Sequence, residues 1–462
     1  AASVPGTMHA QPEQQAVRLV HGAQLRGFER LREENRAAWR ELWGGRVTLA
    51  GAPGRWQGLA DAAFFYTHTS VHASSPASTS LFGLAYWPDY HYYRGHVMWD
   101  IDTFVVPPFV LLQPELARTL LDYRCERLPG ARRNAQQQGH GGGQVSWEGS
   151  PGTGEEAAPW DGSASTHEHH VSLDVAWAIG QYLAATHDWE WARERAWPVL
   201  RDVCDWIVSR GSWTRRGFEL RAVNGIAERS TPVDNNAFVN MAAFLALRRS
   251  AQVGRRLGRA VPTAWERAAD ELYLPLNRRT SVVRNHDRYR RNEEKGETPE
   301  ALAGMFPLGY RPGARVERAT LAFYLDLADR YAGSPMMSAS LGVFAAWAGD
   351  RRRSLELFER GYADFVLEPF TVTAEYGPSA FPEMTRAAPF AANTGGFLTS
   401  CLYGLTGISL DLEQGTEGWC TRPVVLPKGW DAIEVERIWV RGRPARVRAL
   451  QGAPRADVEL VG

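Results

Sequence analysis

The chain has no surplus of charge of either sign: 52 lysines and arginines balance 52 aspartates and glutamates over 462 residues. Without a basic field there is nothing to neutralise nucleic-acid phosphates or to hold an anionic membrane, so neither is an expected partner. No run of 18 apolar residues occurs, which excludes an ordinary membrane-spanning helix. The opening residues AASVPGTMHAQPEQQ lack the charged and apolar regions of a secretory signal, and a soluble, cytoplasmic protein is expected. Cysteine is scarce. Cys125, Cys204, Cys401 and Cys420 lie far apart with no CxxC pair, which suits free thiols better than a disulfide framework or a metal knot. A P-loop, a GxGxxG following a strand and a GxSxG elbow are all missing, so no nucleotide cofactor is expected and serine-esterase chemistry has no support.

Aromatic residues are plentiful instead, with 18 tryptophans and 15 tyrosines. Aromatic faces stack on the apolar faces of sugar rings as readily as they fill cores, and core packing accounts for most of them. Residues 12–43 carry Val17, Val20, Leu25, Phe28, Leu31, Trp39 and Leu42 in a charged background, the pattern of one long amphipathic helix. From 56 to 408 helix-like segments recur at 56–71, 101–127, 171–186, 189–209, 233–253, 263–274, 318–331, 336–349, 351–362 and 393–405, with few strand signals. Long Gly- and Pro-rich connections separate them at 73–96, 139–165, 210–232, 275–317 and 366–392, and loops of that length in a compact helical domain usually carry function. Helix pairs with long loops gathered at one end predict an α/α toroid with a pocket at its mouth. No fixed-period repeat supports a solenoid. From 421 onward apolar and polar residues alternate (Ile433, Val435, Ile438, Val440, Val447, Ala449, Val458, Leu460), predicting a small β appendage.

The long loops hold carboxylates and aromatics together, the mixture a sugar site needs for ring stacking and for directed hydrogen bonds to hydroxyls. Tyr92, Tyr93, His96, Trp99, Asp100 and Asp102 occur in YYRGHVMWDID, Trp147 and Glu148 in SWEGS, then Glu155, Glu156, Trp160 and Asp161. Asp100 could equally cap the helix that begins at IDTF. Glu228 sits in a Gly-containing loop ahead of a helix starting near Asp234, which Asp234 or Asn235 could cap; Glu228 with Arg229 could be a solvated pair. Glu375 and Glu383 occupy the late loop, where nothing local fixes their protonation. The THEHH run at 166–170 places imidazoles beside a carboxylate, but adjacent residues point apart and no metal is expected there.

In their order, these segments resemble glycoside hydrolase family 65. Residues 95–156, from GHVMWDIDTF to SWEGSPGTGEE, are similar to the family's run through the first barrel helices; EHHVSLDVAWAIGQY at 168–182, which includes His170, and VDNNAFVN at 233–240 continue it. The resemblance implies an (α/α)6 barrel over 51–410, preceded by a linker helix over 1–50 and followed by a small β domain over 411–462, with the family's N-terminal β-sandwich lacking. It implies that Trp99 and Asp100 bind the terminal sugar, with Trp147, Glu148 and His170 as further substrate contacts. It implies Glu228, just before VDNNA, as general acid and Glu375 in TAEYGP as general base. The family's lysine-glutamine pair falls near Ala301 and Leu302 in ALAGMFPLGY, so both polar contacts are expected to be lost. The function that follows is an inverting α-glycoside hydrolase acting on a carbohydrate without a cofactor. Its rivals are an inverting phosphorylase, with Arg386 the cation near the late motif, and an inactive sugar-binding protein.

Overall fold

The computed structural model describes residues 12–73, 78–83, 93, 95–159 and 164–461. Two kinds of helix alternate along the chain, and the alternation builds two concentric layers. Some helices are apolar all round and therefore buried on every face. Val106–Leu112, Glu300–Met305 and Ala391–Thr399 are buried at every position, and His170–Thr186 at each residue from His170 to Ala185. These form the inner ring. Others bury a single stripe: Pro114–Glu126, Trp197–Arg210, Thr263–Asp270, Ala314–Leu325 and Arg351–Gly361 follow the inner helices and cover them. The helix Gly54–Thr69 buries Trp56, Leu59, Ala60, Ala63, Phe64 and Thr67, the spacing of one helical face. Ala391–Thr399 packs against both Gly54–Thr69 and the 101–112 segment, so the last inner helix meets the first elements and the ring closes.

The N-terminal stretch departs from the expected single helix. Gly27 adopts φ +79°, a left-handed conformation that costs glycine little, and splits the stretch into Pro12–Arg26 and Phe28–Leu42. The second helix is tied to the barrel by aromatic stacking: Trp39 lies 5.0 Å from Phe65 and Trp43 lies 4.7 Å from Phe64.

The C-terminal appendage is a sheet, and it recruits a strand from the segment assigned to the linker. Val47–Ala50 pairs antiparallel with Ala432–Val440, which pairs with Arg443–Leu450, which pairs with Asp457–Leu460. A register shift between Val435 and Ile438 bulges the central strand. The extra residue switches parity, so Ile433, Val435, Ile438 and Val440 all remain buried although the middle pair is three positions apart rather than two. Among the described residues no helix is long and apolar enough to cross a membrane.

Candidate active site

A cavity of about 290 Å³ opens at one mouth of the barrel. Its walls come from segments that each feed the N-terminal end of an inner helix: Trp99 and Asp100 before the 101–112 segment, Ile226 to Glu228 before Ala237, and Lys295, Glu297 and Thr298 before Glu300. Ser334 to Met336 precede Leu341, and Glu375 and Tyr376 precede Ala391. The ring thus converts residues far apart in sequence into neighbours. Trp147 is held by the Glu156 carboxylate, which accepts from the backbone N–H groups of Trp147 (2.7 Å), Glu148 (3.0 Å) and Ala158 (3.1 Å). Burial nevertheless pushes Glu156 up to about 7.

Five of the seven residues expected at the site line the cavity: Trp99, Asp100, Trp147, Glu228 and Glu375. The other two do not. Glu148 Oε1 lies 2.7 Å from His96 Nδ1, on the hairpin that pairs Val97–Met98 with Glu148–Gly149. His170 is fully buried, edge-on to Trp99 with ring centroids 4.8 Å apart. Its Nδ1 lies 2.7 Å from Asp174 and its Nε2 3.3 Å from Glu168. Burial alone would lower its pKa, but Asp174 and Glu168 outweigh that and raise it to about 10, so a charged imidazolium sits behind the tryptophan platform. His167 and His169 bond to the carbonyls of Ala222 and Thr166. Tyr92, Trp160 and Asp161 lie outside the described residues.

Asp100 makes no capping bond with its side chain, so the cap alternative for it fails. The turn that carries it is braced by Arg124, which bonds Asp102 Oδ2 at 2.6 Å through Nη2 and the Met98 carbonyl at 3.2 Å. Asp100 is only 3% exposed, and burial pushes its carboxyl up to about 8, with Glu228 and Glu375 adding repulsion. Burial thus biases Asp100 toward its protonated form, in which it can donate as well as accept.

Glu228 occupies a left-handed backbone conformation, φ +47°, which is strained for a side chain of its kind. Its N–H donates to the Gly225 carbonyl at 3.0 Å, and Lys295 Nζ donates to the Glu228 carbonyl at 3.1 Å. Burial is the largest influence on the Glu228 carboxyl and raises its pKa; Lys295, His170 and Trp147 act the other way without cancelling it. Asp234 and Asn235 do not cap the following helix. Asn236 does, its side chain accepting from Val239 N at 3.2 Å, while Asp234 and Asn235 accept from Ala222 N and Leu220 N in the preceding loop. Glu375 is 6% exposed, and its backbone carbonyl accepts from Asn393 Nδ2 at 3.1 Å. Glu383 and Arg386 are exposed and do not line the cavity.

The polar side chains of the 295–305 segment are not where the resemblance located the loss. Ala301 and Leu302 are buried within Glu300–Met305, turned into the core between inner helices. The cavity wall is built by Lys295, Glu297 and Thr298. They were missed because the NEEKGET run reads as a solvated charge cluster, and only the ring brings it beside Glu228. Tyr331 and Tyr376 complete the wall, and Tyr376 is raised to about 12 by burial and by the nearby Glu375 and Glu228.

A closed double ring of helices with long loops at one mouth is the six-hairpin fold. A solved structure from the human microbiome assigned as a kojibiose phosphorylase superposes on 99% of this chain and 69% of its own with a TM-score of 0.73 at 14% identity. Residues 90–298 match the glycosyl hydrolase family 65 central catalytic domain, and the chain is similar to members of that family. A kojibiose hydrolase of Flavobacterium johnsoniae is 29% identical over 432 residues, 93% of this chain and 60% of that protein. A protein-glucosylgalactosylhydroxylysine glucosidase of Danio rerio is 30% identical over 398 residues, 83% of this chain and 59% of that protein. The chain thus spans about 60% of the length of these relatives.

Proposed function

We propose that the chain is an inverting hydrolase of α-linked glucosides, with kojibiose the first substrate to test. The observation that supports this most is the meeting of Glu228 and Glu375, from loops almost 150 residues apart, in one cavity with Trp99 and Asp100. Trp99 and its aromatic neighbours offer an apolar face to the ring, and Asp100 reads its hydroxyls. Glu228, with its raised pKa, protonates the glycosidic oxygen; Glu375 takes a proton from a water that attacks the anomeric carbon from the opposite face. The bond to the aglycone oxygen breaks as the bond to water forms, and the configuration inverts. No cofactor enters this scheme.

Phosphorolysis is the rival for the same pair of loops, since a phosphate could replace water. It requires cations beside the attacking anion. Among the described residues lining the cavity Lys295 is the one cation, and it already donates to the Glu228 carbonyl. That favours water. The test is a panel of α-linked glucose disaccharides incubated with and without inorganic phosphate, read for free glucose and glucose phosphate. Phosphate-independent release of two free sugars is expected, and strict dependence on phosphate would replace this reading with the phosphorylase. Binding without turnover would leave only a sugar-binding protein.

A further inference from the structure

The strained peptide at Glu228 is held from both sides by one buried carboxylate. Glu300, 0% exposed at the start of an inner helix, accepts from Ala227 N at 3.3 Å and from Arg229 Nη1 at 2.7 Å. These are the residues immediately before and after Glu228. The same carboxylate accepts from Asn236 Nδ2 at 2.7 Å, and Asn236 caps the helix that follows the loop. Arg229 is itself 4% exposed and has a second acidic neighbour in Glu293 at 3.5 Å. Gly225 shows how close the clamp sits. A Cβ there would collide with the Glu300 carboxylate and the Asn236 amide, so only glycine lets the acid loop close over them.

We infer that Glu300 is the positioning residue for the general acid, fixing the left-handed backbone that aims Glu228 at the leaving oxygen; this rests on the acid role proposed above. The physical reason is that a left-handed non-glycine residue relaxes unless its flanking groups are fixed independently. The Ala227 N–H fixes one flank, the Arg229 guanidinium the other, and both end on the same charge. Without Glu300 the loop can relax toward an ordinary conformation, which moves the carboxyl away from the oxygen it must protonate. Attack by water is not touched, because Glu375 stands on a different loop.

That separation supplies the test. Hydrolysis of kojibiose needs a proton on a poor leaving group, whereas α-glucosyl fluoride releases fluoride with little acid assistance. We compare kcat/KM for the two substrates in the unmodified protein, Glu300→Gln, Arg229→Lys and Glu228→Gln. The fluoride reaction also counts competent sites, so a reduced folded fraction cancels in the ratio. A misplaced acid should cost about 10- to 100-fold more on kojibiose than on the fluoride in Glu300→Gln, with a smaller shift of the same sign in Arg229→Lys. If Glu300→Gln is too unstable to purify, Arg229→Lys carries the comparison. Equal losses on both substrates, or none, overturn the inference while leaving the acid assignment intact. Unchanged kojibiose hydrolysis by Glu228→Gln overturns the acid assignment itself, and the clamp with it.

Discussion

Replacing Glu228 by glutamine keeps the size of the side chain and removes only its transferable proton. The contacts of residue 228 with the Gly225 carbonyl and Lys295 Nζ use only its own main-chain N–H and carbonyl and survive the change. Sugar binding should therefore persist. General acid catalysis contributes about 10²- to 10⁴-fold, and at 1.36 kcal/mol per tenfold that is about 2.7 to 5.4 kcal/mol of transition-state stabilisation. A recessed carboxyl, fixed in a strained conformation and biased by burial toward its protonated form, argues for the upper half, about 10³- to 10⁴-fold. The pH profile supplies a second readout. Because the Glu228 pKa is raised, its acid form persists above the usual carboxylate range, and kcat/KM for kojibiose should decline only as pH rises through that higher value. In Glu228→Gln this basic limb should vanish along with most of the rate. Rates are read by released glucose across pH, with KM and a direct binding measurement to separate affinity from turnover. Kojibiose hydrolysis within threefold of the unmodified protein, with the basic limb in place, would refute the reasoning.

Three further expectations follow from the same geometry. Asp100→Ala should lose about 1 to 3 kcal/mol in kcat/KM, the cost of leaving a buried sugar hydroxyl without its partner, while Asp100→Asn should be milder, because a carboxyl raised to about 8 and an amide both donate and accept; equal losses would mean that Asp100 works as an anion. Glu375→Ala should abolish water-dependent turnover and regain activity with azide, and proton NMR of fresh product from the unmodified protein should show β-glucose first; α-glucose first would mean retention. Arg124→Met should cost about 3 to 5 kcal/mol of stability by urea denaturation, since it leaves Asp102 buried without its partner; a loss under 1 kcal/mol would show that the pair is not what braces the Asp100 turn.

What the sequence by itself determined is the helical periodicity, the long loops between helices, and the strand pattern of the tail. These depend on local spacing, which is why the helices near 54–69, 170–186 and 351–361 fall close to their expected limits. The carboxylates at 228 and 375 were legible through the order of motifs around them, not through any local property that set them apart from Glu383. Only the tertiary structure decided which loop residues face inward. It turned Glu148 onto His96 and His170 beneath Trp99, and it brought Lys295, Glu297 and Thr298 out of a charged run onto the cavity wall. It also gave the sheet its first strand from residues 47–50. The physical reason is that side-chain direction in an irregular loop is set by partners on other segments, 52 residues away for Glu148 and His96 and 67 for Lys295 and Glu228, and spacing along the chain carries no record of them.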